Sequence, residues 1–82
     1  MPYKVEWDDA ALNELADIWN RSSDKNAISA ASNQVDRELS VDPDRKGQDF
    51  YGDRLFYCPP LHVVFSVDMT NGEVRILSVY RV

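Results

Sequence analysis

The sequence predicts an α+β fold in the order β-α-α-β-β-β, with a helical hairpin packed on one face of a mainly antiparallel sheet. Three observations carry this reading. The last third, Asp53 to Val82, holds three apolar, β-rich runs separated by two turn signals. Two stretches before it repeat apolar residues at steps of three and four. A short alternating run opens the chain.

That opening run is a strand: Tyr3, Val5 and Trp7 fall on one face, Lys4 and Glu6 on the other. Asp8 and Asp9 offer an N-cap and place acidic charge at the positive end of a helix. Ala11, Leu12, Leu15, Ile18 and Trp19 then form one stripe, predicting a helix over 9–21 that turns this stripe to the core. Ser22, Ser23 and Asp24 make a turn and a second N-cap. Ile28, Ala31, Val35 and Leu39 predict a second helix over 25–41, which Pro43 ends because it disfavours helical geometry at Asp42. The short connection predicts an antiparallel hairpin.

The segment from Asp42 to Gly52, DPDRKGQDFYG, reads as a polar loop with Arg45 and Lys46 as a solvated basic pair among aspartates. Arg54 to Cys58 is a strand, and Pro59-Pro60 ends it. Leu61 to Val67 and Glu73 to Arg81 form a hairpin about Asn71-Gly72. If those two residues are the whole turn, Asp68 opposes Arg75 and His62 opposes Arg81 on an open face. Val63 then opposes Tyr80 on the face beneath the helices. Trp7 and Trp19 are expected in the core.

Composition narrows the function. The chain has 82 residues, enough for one domain over 1–82. Nine Lys and Arg against fourteen Asp and Glu leave a net charge of −5, so phosphate contacts would need a local basic patch. With one His and the single Cys58, no metal site and no cofactor are expected, and Cys58 reads as a small apolar filler. MPYKVEWDD lacks the apolar core of a secretory signal and no run has the length of a membrane span, so a cytoplasmic location without membrane contact is expected.

Several stretches in order resemble the RelE/ParE toxin superfamily of bacterial type II toxin–antitoxin systems. They are the opening YKVEWDDAALNELADIW, the helix end VDRELSVDP, the Gly-containing loop leading to GDRLFY, then PLHVVFSVD and VRILSVYRV. The resemblance covers nearly the whole chain. It implies a four-stranded sheet with the first strand beside the last, and a cognate antitoxin that wraps and silences the protein. It also implies one of two activities. RelE-like members are mRNA interferases, endoribonucleases that cut messenger RNA on the ribosome without metal. ParE-like members inhibit DNA gyrase and are not enzymes.

For a nuclease, a 2′-hydroxyl must lose a proton, the phosphorane needs positive charge, and the leaving oxygen needs a proton. The positions matching the family are Arg54, Tyr80 and Arg81; His62 joins them through the expected register beside Arg81. The middle strand, PPLHVVF, has no Arg where nuclease members often carry one. The resemblance therefore implies the toxin of a type II system, read first as a ribosome-dependent mRNA endoribonuclease acting without metal; the alternatives are a non-enzymatic inhibitor of gyrase or another protein and an inactive orphan member.

Overall fold

The computed structural model describes residues 2–81. Strand β1 (Lys4–Trp7) is followed by helices α1 (Asp9–Arg21) and α2 (Lys25–Leu39), then a 3₁₀ turn (Pro43–Arg45). Strands β2 (Gln48–Phe50), β3 (Asp53–Cys58), β4 (Leu61–Asp68) and β5 (Glu73–Arg81) complete the chain. The sheet runs β1-β5-β4-β3-β2, with β1 parallel to β5 and the other pairs antiparallel. Both helices lie on one face, which makes the α+β architecture with the first strand beside the last. The sheet has five strands rather than four. The extra strand, β2, comes from the expected loop: Tyr51 and Gly52 both take left-handed φ, 51° and 91°, and fold Gln48–Phe50 back onto β3.

Helix α2 buries the four residues its periodicity picks out, Ile28, Ala31, Val35 and Leu39. Each of the three larger ones contributes about 1.5–3 kcal/mol by leaving water. Opposite them sit Leu61, Val63 and Phe65 of β4 and Val74, Ile76 and Val79 of β5, all at or near zero exposure. Asp24 caps α2 by accepting the Ala27 N–H at 3.1 Å. Asp8 sits at the N-cap position of α1 but makes no side-chain cap, because its carboxylate is taken by Arg75 at 2.7 Å.

Helix α1 is less completely covered than its sequence predicts. Ala11 is buried, and Leu15 and Ile18 pack against the core, but Leu12 and Trp19 stand 47% and 40% exposed. The apolar stripe is wider than the strip of sheet beneath the helix, so its outer edge remains in solvent. Trp7 does pack on the core, and its indole N–H donates to Asp36 of α2 at 2.7 Å.

The β4–β5 hairpin differs from the expected register in two places. Its loop is Met69–Gly72, held by Asp68, which accepts from the backbone and side-chain N–H groups of Asn71 at 3.1 and 2.7 Å. Asp68 therefore opposes Glu73, not Arg75. A bulge follows: Phe65 opposes Ile76, yet Val64 opposes Ser78, so Leu77 is the extra residue. Beyond the bulge His62 opposes Tyr80 and Leu61 opposes Arg81. Tyr80 thus moves to the open face and Arg81 to the helix side, the reverse of the sequence expectation.

Candidate functional site

The four candidate residues divide between two places. Arg54 opposes Phe65, so it leaves the sheet on the helix-covered side, at the edge where the 46–49 segment crosses β3. Gly47 lets that segment lie close: at φ +75° its backbone comes so near that an added Cβ would meet the Leu55 carbonyl oxygen at 2.5 Å. Arg54 holds it there. Nε donates to the Lys46 carbonyl at 2.8 Å, Nη2 to the Gly47 carbonyl at 3.2 Å, and Nη1 meets Asp49 Oδ1 at 3.3 Å. The Nε–Nη2 edge, the fork that would grip a phosphate, is occupied by carbonyls of the chain itself. Lys46 is likewise not a solvated loop residue. Its ammonium donates to the Glu38 and Val41 carbonyls at 2.6 and 2.9 Å and meets Glu38 Oε2 at 3.2 Å, a cation at the negative end of α2.

On the open face, His62 lies between two tyrosines. Antiparallel pairing sets Tyr57 of β3, His62 of β4 and Tyr80 of β5 side by side on three adjacent strands. Ring centroids are 4.6 Å apart for Tyr57–His62 and 5.4 Å for His62–Tyr80. Tyr57 is 54% exposed. The sequence reading missed Tyr57 because Pro59-Pro60 hid the register. Taken as a two-residue turn, the pair would have set Cys58 opposite Leu61 and Tyr57 opposite His62, as found.

Arg81 lies away from this row. It is exposed, and Nη1 approaches the Ser22 hydroxyl at 3.4 Å, at the turn between the helices. Cys58 is buried beneath α2, its thiol 3.5 Å from the Ala31 carbonyl, and burial pushes its pKa up, so it stays a neutral filler. Among the described residues, no group of three or more His, Cys, Asp or Glu is placed to hold a metal ion, and no helix is long and apolar enough to cross a membrane.

Beyond Leu55, Val64 and Ser78, the far end of the open face is acidic. Lys4 meets Glu6 at 2.9 Å and holds its carboxyl below the usual range, while Asp8 keeps Arg75 charged. Asp68, Asp53 and Glu73 share this face by strand alternation. The Asn71 hydrogen bonds hold the Asp68 carboxyl below its usual range. Across the molecule, Leu12, Leu15, Ala16 and Trp19 of α1 and Ile28 of α2 line an apolar groove of about 310 Å³ between the helices.

No family model and no curated protein matches this sequence. Solved structures do match. A chain of the RelBE2 toxin–antitoxin complex from Mycobacterium tuberculosis superposes with a TM-score of 0.81 at 23% identity, covering 100% of both chains. The chromosomal ParDE system of P. aeruginosa gives 0.68 at 19% identity, covering 98% of this chain and 96% of the other. A mutant E. coli toxin RelE in the free state gives 0.68 at 17% identity, covering 99% and 84%. At these identities the likeness is one of fold: over its whole length the chain has the fold shared by these chains of the RelBE and ParDE systems.

Proposed function

We propose that this chain is the toxin of a type II toxin–antitoxin pair and that it acts by protein contact, as a ParE-like inhibitor of DNA gyrase or another protein. The toxin assignment is supported by full-length similarity to chains of the RelBE and ParDE systems. The observation favouring contact over RNA cleavage is the separation of the candidate groups. His62 and Tyr80 can move protons, but the phosphate fork of Arg54 faces the other side of the sheet and binds the chain's own loop. The acidic open face would also repel a phosphate backbone.

The second reading is a metal-independent, ribosome-dependent mRNA endoribonuclease using Arg54, His62, Tyr80 and Arg81. It is favoured by the His62–Tyr80 pair on the open face, and it requires the ribosome to supply the positive charge that this face lacks. In either reading the cognate antitoxin docks in the groove beside Leu12 and Trp19, where exposed apolar surface fits the apolar side of a partner helix. Leu12→Asp, at a position already half in solvent, is expected to abolish co-purification with the product of the adjacent gene while leaving the fold intact.

The deciding experiment is induced expression in bacteria, following growth and mapping messenger RNA ends in one culture. Arrest with intact messenger RNA is expected. New cuts at ribosome-bound codons would overturn the contact reading in favour of the nuclease. Absence of arrest would make the chain an inactive member of the fold.

A further inference from the structure

We propose that the open sheet face docks an extended, arginine- or lysine-bearing segment of a partner protein, anchored on the Tyr57–His62–Tyr80 row. This goes beyond the toxin reading and does not depend on toxicity. Tyr57 and Tyr80 are 54% and 39% exposed, and with His62 between them the rings form a continuous row across three strands. Exposed tyrosine faces attract guanidinium and ammonium groups and stack on the planar arginine head.

Charge selects the occupant. The same face presents five carboxylates, Glu6, Asp8, Asp53, Asp68 and Glu73, against two cations, Lys4 and Arg75. Both cations are already paired within the face, Lys4 to Glu6 at 2.9 Å and Arg75 to Asp8 at 2.7 Å. The surplus is negative, so a basic segment is attracted where a nucleic-acid backbone is repelled. At the end away from the rings, Glu6, Ser66, Asp68, Glu73 and Arg75 line a recess of about 240 Å³, deep enough for a side-chain head. From His62 to Asp68 the distance along β4 is about 20 Å, the reach of an extended segment of six or seven residues. Such a segment would lay one cation over the rings and another toward the recess.

The test is titration of the ¹⁵N-labelled protein with a capped Arg-Ser octapeptide, its Glu-Ser counterpart and an octameric oligouridylate, at low and high salt. The Arg-Ser peptide is expected to shift the amides of Tyr57, His62, Ser66 and Tyr80, with affinity falling as salt rises. Tyr57→Ala and Tyr80→Ala are each expected to weaken it about two- to fivefold. Glu73→Gln, which keeps shape and removes charge, is expected to weaken it and flatten the salt dependence. The proposal is overturned if the Glu-Ser peptide or the oligouridylate binds as well or better. It is equally overturned if the shifts fall on the helix groove, or if the Arg-Ser peptide does not bind at all. Growth arrest is scored separately, so a non-toxic chain that binds the peptide refutes the toxin reading alone, and a toxic chain that does not bind it refutes this inference alone.

Discussion

Arg54 of β3 and His62 of β4 lie on neighbouring strands and on opposite faces of the sheet, and they serve opposite kinds of surface. Arg54 is 27% exposed at its side chain and spends its best donor edge on the carbonyls of Lys46 and Gly47. His62 sits in an open row with two tyrosines and crosses no loop. A permanently charged fork in a small protein is a ready strut, because it can donate to several backbone carbonyls of one loop at once. The rings of Tyr57, His62 and Tyr80 stand in a row on the open face of the sheet and hold no loop of this kind. The resemblance points to Arg54 as one of four candidates beside His62, Tyr80 and Arg81; in the structure its donor edge is taken up by its own loop.

Four substitutions probe these contacts, taken in order of decreasing effect. Gly47→Ala attacks the loop that Arg54 holds. The new methyl meets the Leu55 carbonyl oxygen at 2.5 Å and the backbone is left-handed at φ +75°, so a loss of about 2–4 kcal/mol is expected in urea unfolding. Arg54→Ala removes two carbonyl hydrogen bonds and is expected to cost about 1–3 kcal/mol, almost none of it from Asp49, whose side chain is 96% exposed.

Glu14→Ala tests the edge of β5 beyond the end of β1. There Glu14 accepts the Val79 N–H and the Ser78 hydroxyl, each at 3.3 Å, where β1 no longer pairs. A loss of about 0.5–1 kcal/mol is expected, with concentration-dependent association seen by sedimentation as the freed edge N–H seeks another strand. Asn71→Ala gives the smallest effect. In the folded chain its hydrogen bonds hold the Asp68 carboxyl below the ordinary value of about 3.9. A depressed folded value adds stability above the ordinary pKa, which is lost as pH falls through the folded one. The variant should therefore raise the Asp68 midpoint in an NMR titration and lower stability slightly at neutral pH, the difference from the parent vanishing as pH falls below the folded midpoint.

Much of the fold was legible because periodicity and turn residues agree. The stripe of Ile28, Ala31, Val35 and Leu39 fixed α2, and alternation in Leu61 to Val67 fixed the buried side of β4. The illegible parts have physical causes. The segment Gln48–Phe50 has no apolar alternation and becomes a strand only because Tyr51, an unusual residue for left-handed φ, joins Gly52 in the turn. Asn71-Gly72 signals a hairpin, but the Asp68 side chain fastens a longer loop and moves the register by two. The bulge at Leu77 leaves no trace in RILSVY, where apolar residues occur on both sides of it. These two offsets decide which candidates meet. They bring Tyr80 beside His62 and send Arg81 to the helix turn, so the expected His62–Arg81 pairing gives way to a row of three rings that holds no Arg or Lys.

The measurement that tests this account most directly is the urea midpoint of Arg54→Ala read beside that of Tyr80→Ala. If Arg54 is a strut and Tyr80 an outward-facing contact, Arg54→Ala falls by about 1–3 kcal/mol while Tyr80→Ala stays within about 1 kcal/mol of the parent. An Arg54→Ala variant as stable as the parent would contradict it, and would return that guanidinium to the list of groups free to bind a phosphate.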